Sequence, residues 1–371
     1  MPMKILLLGE YSNVHATLAK GLRQLGHEVT VASNGDFWKD YPRDIDLSRH
    51  RGTLGGLALL AKTYSLLPTW RNFDVVQIIN PIFIELKAER LFPIYHYLRR
   101  YNKKIVLGAF GMDWYWVHEC ITRKPLRYSD FNIGETIRND EAALKEQRDW
   151  LGTAKGNLNK LIANECDGIV TGLYEYDACY RPHYPQKTCF IPFPIEMPDT
   201  NILTSDSGIQ PPVKIFIGIS KGRSAYKGTD IMLKAAEDVK KKYPDKLQLI
   251  KAEGVPFATY QHLMDGCDAI LDQLYSYTPS MNPLLAMSKG IVCIGGGEPE
   301  NYEILNEKEL RPIINVLPTY ESVYHEIEQL ALHPERLPEL KRQSIEYIRR
   351  HHEFLKVARE YERFYKQIKG R

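Results

Sequence analysis

KIFIGISKGRSAYKGTDIMLKAAEDV, residues 214–239, combines two hydrophobic patterns that are separated by a basic loop. The apolar run at 214–218 predicts a buried β-strand, because β-branched and aromatic residues favour strands. From Thr229 onward the apolar residues recur at helical spacing and predict an amphipathic helix. The loop between them holds two glycines and three cations: Gly222, Gly228, Lys221, Arg223 and Lys227. A basic loop of this kind, leading into a helix N-terminus, is suited to bind an anion.

Two interpretations of this loop are open from its residues alone. Basic residues in a loop are often solvated surface groups without a ligand. Ligands of open α/β sheets, however, bind at the carboxyl ends of strands, and this loop begins at such an end. The loop lacks the G-x-x-x-x-G-K-[ST] spacing of a P-loop, so it does not indicate ATP hydrolysis.

The chain of 371 residues is longer than one hydrophobic core usually serves, which predicts two domains. A composition of 44% hydrophobic and 26% charged residues is typical of soluble proteins, and a net charge of +3 does not indicate nucleic acid as a partner. Six dispersed cysteines without a C-x-x-C pair predict reduced thiols, a cytoplasmic location and no structural metal. We expect neither a signal peptide nor a membrane-spanning segment.

The N-terminal stretch predicts a βαβ unit. A strand at 4–8, a helix at 16–25 and a strand at 27–33 follow one another, and such units are right-handed almost without exception. The loop after the first strand therefore lies at the carboxyl edge of a parallel sheet. It lacks the G-x-G-x-x-G fingerprint, which disfavours a tightly bound NAD.

The basic, aromatic segment at 90–104 predicts a helix with two alternative roles. It is either a surface helix with extended arginines or a helix that lies against an anionic membrane. Pro93 interrupts its first turn, which weakens the membrane alternative.

Residues 108–119, GAFGMDWYWVHE, follow another predicted strand and place the three aromatic rings of 114–116 beside Asp113 and His118. Aromatic faces stack on sugars and a carboxylate accepts hydroxyl hydrogen bonds, so the stretch either lines a sugar pocket or packs its own rings on the core. Asp113 or His118 is also a candidate general base. The polar residues 128–159 are interpreted as an insertion beside the acceptor entrance.

A linker composition at 201–212 places the domain boundary at 204/205, giving domains 1–204 and 205–349. The second domain continues the alternation of strands and helices. At the turn 275–283, the N–H groups of Ser280, Met281 and Asn282 either bind phosphate oxygens or belong to a proline-rich helix entry without a ligand. Three glycines at 295–297 end a predicted strand, as a close backbone approach requires, and lead to Glu300.

Several of these stretches together resemble the group 1 glycosyltransferases, which have two Rossmann-like domains facing across a cleft (GT-B type). GISKGRSAYKG at 218–228 resembles the family's donor-phosphate loop, and LLAMSKGIVCIGGGEPE at 284–300 is similar to its E-A-M-A-x-G-x-P-V-[IV]-A-x-x-x-G-G-x-P-E motif. HATLAKGLRQLGHEVTV at 15–31 and IPFPIE at 191–196 resemble segments of the family's N-terminal domain. The resemblance implies that a C-terminal helix at about 350–371 returns to that domain.

The chain departs from the family at three positions. Tyr277 and Leu285 stand where the family usually carries two glutamates separated by seven residues, and Phe110 stands where it often has a histidine. A tyrosine can make only a neutral hydrogen bond to a sugar hydroxyl, and a leucine makes none. Retention and inversion of the anomeric configuration are therefore both open on these residues.

The resemblance implies a cytoplasmic, metal-independent and retaining hexosyltransferase without a cofactor, which moves a sugar from a nucleotide diphosphate sugar to a saccharide or lipid-linked acceptor. The candidate catalytic residues are Arg223, Lys227 and Asp113; the donor-binding residues are Gly222, Tyr277, Ser280, Met281, Asn282 and Glu300; and the acceptor-side residues are Glu10, Asn13, His15 and His118. Peripheral contact with the inner face of the membrane is part of this expectation. A non-catalytic nucleotide or sugar binding protein and a nucleotide-sugar epimerase are the alternatives.

Overall fold

A computed structural model describes residues 1–198, 211–219, 222 and 224–370. The strands are β1 (Lys4–Leu8), β2 (Glu28–Ser33), β3 (Ile45–Asp46), β4 (Val75–Ile78), β5 (Ile105–Ala109), β6 (Asn132–Ile133), β7 (Thr136–Ile137), β8 (Gly168–Thr171), β9 (Thr188–Phe190), β10 (Val213–Ile219), β11 (Leu247–Glu253), β12 (Ala269–Leu271), β13 (Val292–Gly295) and β14 (Ile314–Asn315).

The helices alternate with these strands. They are α1 (Val14–Gln24), α2 (Gly52–Leu66), α3 (Ala88–Tyr101), α4 (Trp114–Thr122), α5 (Glu141–Trp150), α6 (Ala154–Glu165), α7 (Tyr174–Tyr180), α8 (Ser224–Lys227), α9 (Thr229–Lys242), α10 (Phe257–Met264), α11 (Met281–Ser288), α12 (Pro299–Ile304), α13 (Tyr320–Leu332), α14 (Leu337–His351) and α15 (Phe354–Gln367). Within the described residues, no helix is both long and apolar enough to span a bilayer.

The chain forms two compact units. The first contains Met1–Pro125, Lys145–Pro194 and Phe354–Arg371, and the second contains Leu126–Leu144 and Ile195–Glu353. The change of unit at Ile195 precedes the boundary expected at 204/205, and most of the predicted linker lies outside the described residues.

The first unit is built on a parallel sheet with the strand order β3-β2-β1-β4-β5-β8-β9. Its central strands are buried on both faces, because helices cover each side of a parallel sheet. The strand order reverses between β1 and β4, so the loops that follow these two strands meet at the ligand-binding edge of such a sheet.

The second unit is built on a parallel sheet with the strand order β11-β10-β12-β13-β14. Its core packs α9 and α13 against the sheet through side chains such as Met232, Val239 and Ile327. Here the order reverses between β10 and β12. The expected fold class, two Rossmann-like α/β domains, is confirmed.

The C-terminal tail is two helices, α14 and α15. The helical hydrogen bonding stops at His352, whose carbonyl accepts from Ile195 N at 2.7 Å. The second helix, α15, belongs to the first unit and packs closely on α1, since a Cβ on Gly21 would lie 2.6 Å from Ala358 Cβ. The expected return of the C-terminal helix to the N-terminal domain is confirmed.

One segment is not where the sequence analysis placed it. Residues 128–159 were expected in the N-terminal domain beside the acceptor entrance, but Leu126–Leu144 belongs to the second unit. The reason is a set of long-range contacts, including a hydrogen bond from Tyr226 Oη to Asp130 Oδ2 at 2.7 Å. Sequence neighbours alone do not reveal such contacts.

Candidate functional site

The predicted anion loop lies at the switch point of the second unit, after β10 and beside the turn that follows β12. Lys227 ends the short helix α8, and its carbonyl accepts a hydrogen bond from Leu274 N at 2.8 Å. Gly228 has φ +70°, and a Cβ there would lie 2.5 Å from the Leu274 side chain. The close approach of the two loops therefore depends on this glycine. Gly222 has φ +73°, whereas Arg223 lies outside the described residues.

The N-terminus of α11 follows on the same turn. Ser280 is its extended N-cap residue and Met281 is the first helical residue, but the Ser280 side chain does not cap the helix. Asn282 Nδ2 donates to Tyr260 Oη at 2.9 Å. The predicted helix entry is thus present, with its first-turn N–H groups at the carboxyl edge of the sheet, where the helix dipole favours an anion.

Tyr277, which stands at a family glutamate position, is buried and engaged by the segment Leu126–Leu144. Its hydroxyl accepts from Arg127 N at 2.6 Å, the Arg127 guanidinium lies 4.9 Å from the ring centroid, and the Tyr128 ring lies 4.9 Å away. Burial raises the pKa of Tyr277 to about 12, so the phenol is neutral at physiological pH. Leu285, at the other glutamate position, lies in α11.

Two carboxylates follow β13, of which sequence reasoning found one. Glu300 accepts from both terminal nitrogens of Arg127, at 2.5 and 3.1 Å. Burial acts to raise the pKa of Glu300, but the hydrogen bonds and positive charge of Arg127, together with a backbone hydrogen bond, outweigh it and hold that pKa below its ordinary value. Glu298 is buried and accepts from Arg127, from Tyr128 Oη at 2.6 Å and from Asn315 Nδ2 at 3.1 Å. Two acidic residues directly after a glycine-ended strand are the signal that could have identified Glu298.

The turn after β12 and the glycines after β13 approach each other closely. A Cβ on Gly296 would lie 2.1 Å from Ser276 O, so only glycine fits. Among the described residues, the buried Ser276 hydroxyl has no hydrogen-bond partner. A buried hydroxyl without a partner is uncommon in folded proteins and is consistent with a ligand that would complete it. No cluster of three metal-ligating His, Cys, Asp or Glu side chains occurs within the described part of the chain.

Glu10, Asn13 and His15 lie together after β1 in the first unit. The Glu10 carboxyl accepts from His15 N at 3.2 Å and from Ala16 N at 2.8 Å, so it occupies the N-terminus of α1 where an anionic ligand would otherwise bind. Burial raises the pKa of Glu10 to about 8. Asn13 precedes α1 with φ 73°, a left-handed conformation that asparagine tolerates.

His15 is fully buried, and both of its ring nitrogens are engaged within the first unit. Nδ1 lies 2.8 Å from Gly9 O, and Nε2 lies 3.0 Å from Gln77 Nε2. Because the amide nitrogen of Gln77 can only donate, His15 Nε2 accepts and Nδ1 carries the proton. Burial lowers the pKa of His15 to about 3, so the ring is neutral. This arrangement is typical of a structural histidine.

Asp113 and His118 lie on the same helix of the first unit in different environments. Asp113 is the N-cap of α4, accepting from Trp116 N at 2.8 Å and from Tyr180 Oη at 2.7 Å, and burial raises its pKa to about 7. The His118 ring is partly exposed and stacks on Trp114 with centroids 4.3 Å apart. The His118 ring therefore reaches solvent, whereas the Asp113 carboxyl is enclosed.

Phe110, at the position of a family histidine, packs edge-to-face on Phe193 with ring centroids 5.4 Å apart. The predicted residues divide between the two units. Gly222, Lys227, Tyr277, Ser280, Met281, Asn282 and Glu300 belong to the second unit, and Glu10, Asn13, His15, Asp113 and His118 belong to the first.

No protein-family model and no curated protein matches the sequence. Solved structures match the whole chain at low identity. HepE of Anabaena, in complex with UDP and glucose, is 12% identical, with a TM-score of 0.59 over 98% of this chain and 100% of that one. Sucrose-phosphate synthase of Thermosynechococcus elongatus is 11% identical, with a TM-score of 0.63 over 98% of each chain.

The catalytic domain of starch synthase IV of Arabidopsis thaliana, bound to ADP and acarbose, is 10% identical, with a TM-score of 0.60 over 99% of each chain. These neighbours are glycosyltransferases of the GT-B type. At such low identity the likeness concerns the fold, and it agrees with the two Rossmann-like units and the returning C-terminal helix. The protein therefore has the GT-B fold.

Proposed function

We propose that the protein is a glycosyltransferase that moves a sugar from a nucleotide diphosphate sugar to a saccharide or lipid-linked acceptor. The observation that carries the proposal is the switch point of the second unit, where Lys227, the first turn of α11 and Glu300 lie at one edge of the sheet. HepE, which has this fold, was solved with UDP-glucose, and starch synthase IV was solved with ADP and acarbose. Both complexes support a nucleotide-sugar donor and a saccharide acceptor.

The proposed chemistry is stabilisation of the charge that develops on the leaving diphosphate. Lys227 and Arg223 would supply positive charge, and the N–H groups of Ser280, Met281 and Asn282 would supply hydrogen bonds. With two cations in this role, the reaction needs no metal. Retention of the anomeric configuration and a cytoplasmic location belong to the same proposal. The acceptor would bind at the carboxyl edge of the first unit, near Glu10 and the Trp114–His118 ring pair.

A non-catalytic nucleotide or sugar binding protein is the second candidate. It is favoured by one observation, since the Tyr277 hydroxyl that replaces a family glutamate is already engaged by Arg127 N. Release of free nucleoside diphosphate from a donor and acceptor panel separates the two candidates. Turnover supports the transferase, and tight donor binding without any product over hours supports the binding protein.

A thermal-shift screen tests donor binding. We expect one of UDP-, GDP-, ADP- and CDP-sugars to raise the melting temperature, because a ligand at 100 times its dissociation constant adds about 2.7 kcal/mol to the free energy of unfolding. The parent nucleoside without phosphates should give a much smaller shift. If all four families of donor leave the melting temperature unchanged at millimolar concentration, the proposed function is wrong.

Membrane contact is proposed through α2 and not through the helix at 90–104. The apolar residues of α3, including Leu91, Ile94 and Leu98, are buried, so that helix has no free apolar face. By contrast, Leu54 and Leu57 of α2 are 81% and 57% exposed. Residues 49–71 contain four Arg or Lys and no acidic residue, which complements an anionic bilayer surface.

Co-sedimentation with vesicles of anionic lipid tests this contact. We expect the wild type to sediment with the vesicles at low salt. The double variant Leu54→Asp and Leu57→Asp should lose at least about 10-fold in vesicle affinity, because charged aspartates do not enter the apolar part of the bilayer. Leu317→Asp is the matched control, since Leu317 is 53% exposed in the other unit. Equal sedimentation of all three proteins, or none by the wild type, removes the membrane proposal.

A further inference from the structure

Residues Leu126–Leu144, which we name the strap, lie in the sequence between α4 and α6 of the first unit but belong to the second unit. We propose that the strap is a structural part of the donor site and that Arg138 is a positioning residue that holds α8, the short helix that carries Lys227. The proposal rests on the proposed function, because it assigns a role to residues around the donor. It adds a component that the family resemblance does not supply, since the motifs of the resemblance lie elsewhere in the chain.

One end of the strap is hydrogen-bonded to the segment that carries Lys227. Arg138 donates to Ala225 O at 3.0 Å and to Tyr226 O at 3.3 Å. Its guanidinium also lies 3.8 Å from the centroid of the Tyr275 ring, on the turn after β12. The Arg138 side chain is only 9% exposed. A nearly buried arginine thus joins the two loops that meet at the switch point.

A second hydrogen bond joins the strap to the same segment. Tyr226 Oη donates to Asp130 Oδ2 at 2.7 Å, so the strap holds both the backbone and the side chain of the residue before Lys227. A helix as short as α8, Ser224–Lys227, is not stable by itself. Its conformation therefore depends on contacts of this kind.

The other end of the strap forms ion pairs and a hydrogen bond with the carboxylates after β13. Arg127 pairs with Glu298 at 2.7 Å and with Glu300 at 2.5 Å, and Tyr128 Oη donates to Glu298. Two carboxylates close to a diphosphate would repel it, and the guanidinium of Arg127 offsets this charge. The two ends of the strap thus contact different loops. One end contacts the segment that carries Lys227, and the other contacts the loop that carries Glu298 and Glu300.

The strap itself is well ordered by internal hydrogen bonds. Asn132 Nδ2 donates to Leu126 O and to Gly134 O, both at 3.0 Å, and Arg138 N donates to Phe131 O at 2.8 Å. Phe131 and Asn132 are fully buried. A segment with buried side chains and satisfied internal hydrogen bonds can hold the loops that it contacts in a fixed position.

The position of Arg138 predicts which part of a donor it affects. Its described contacts are with Ala225, Tyr226, Tyr275 and other strap residues, so it acts through the backbone that precedes Lys227. Loss of Arg138 should therefore weaken binding of the diphosphate and leave recognition of the nucleoside nearly unchanged.

Calorimetric titration of the full-length protein tests the inference with two ligands. These are the nucleoside diphosphate of the donor that stabilises the wild type, and the corresponding nucleoside. For Arg138→Ala we expect an affinity for the diphosphate lower by about 10- to 100-fold, and an affinity for the nucleoside within about twofold of the wild type. Arg138→Lys should show most of this loss, because lysine cannot form the two parallel hydrogen bonds and the ring stacking. Arg342→Ala, an exposed arginine on α14, is the control and should leave both affinities unchanged.

Tyr226→Phe provides a second variant in case Arg138→Ala fails to fold. It removes the hydrogen bond to Asp130 and keeps the ring, and we expect a loss of about 3- to 10-fold for the diphosphate alone. Unchanged diphosphate affinity in both variants overturns the strap inference while leaving the proposed function intact. Equal losses for nucleoside and diphosphate also overturn it. Absence of diphosphate binding by the wild type contradicts the proposed function itself.

Discussion

Replacing Lys227 by alanine is expected to lower the rate of sugar transfer by about 100- to 1000-fold, because a positioned group that meets developing charge on a leaving diphosphate contributes on this scale. Lys227 is suited to this role since it ends α8 at the switch point, with its backbone tied to Leu274 on the neighbouring loop. The measurement is kcat at saturating donor, with release of nucleoside diphosphate as the readout. Arg223→Ala should give a loss of similar size.

Lys240 provides the matched control for Lys227. It is an exposed lysine near the other end of α9, and Lys240→Ala should leave kcat within about twofold of the wild type. Circular dichroism and the melting temperature show whether each variant is folded. A folded Lys227→Ala variant with wild-type kcat would exclude the loop as the site of leaving-group stabilisation.

Replacing Arg99 by alanine is expected to cost about 3–5 kcal/mol of the free energy of unfolding, because it leaves a buried carboxylate without its cation. Arg99 Nη1 lies 2.5 Å from Asp167 Oδ2, and the two side chains are only 8% and 7% exposed. The same Asp167 oxygen accepts from Ile105 N at 2.7 Å, so the ion pair joins α3 to the starts of β5 and β8. The measurement is urea unfolding, with the transition of the first unit fitted separately if two transitions occur.

Arg100 is the control for this prediction, since it is the next residue on α3 and is exposed. Arg100→Ala should change the free energy of unfolding by less than about 0.5 kcal/mol. If Arg99→Ala costs less than about 1 kcal/mol, the buried ion pair does not hold α3 on the sheet, and the side chain is more solvated than its position indicates.

Arg99 also illustrates where the sequence was ambiguous. The segment at 90–104 reads as a basic aromatic helix, and its arginines suggested a surface or a membrane. In the structure Arg99 is buried by its pairing with Asp167, which lies 68 residues away. A local pattern predicts the helix, but it does not show which cation meets a carboxylate from a distant strand.

The strands were predictable because parallel strands buried on both faces appear as continuous apolar runs. The strand predicted at 4–8 is β1, and the strand predicted at 214–218 lies within β10. The two-residue strands β3 and β14 were not predicted. Each consists of only two residues, which pair in register with β2 and β13 respectively.

The donor-side residues followed from the order of strand, loop and helix, since the carboxyl end of a parallel strand is a ligand edge in any such sheet. The strap could not be predicted in this way. Its contacts join Arg127 to Glu298 across 171 residues and Arg138 to Tyr226 across 88. Likewise, the polar residues His15 and Asp113 read as free functional groups, but packing encloses them and shifts their pKa values.

Hydrophobic periodicity and glycine placement are local properties, and they were sufficient to predict two α/β units, their parallel strands and the cationic loop at a strand end. Which distant side chains meet depends on the packed chain, because a contact between residues far apart forms only when burial of the core offsets the entropy of closing the loop between them. Three features of this protein depend on the packed chain and not on local sequence. They are the place of the strap on the second unit, the hydrogen bond between Arg127 N and Tyr277, and the exposure of the leucines of α2.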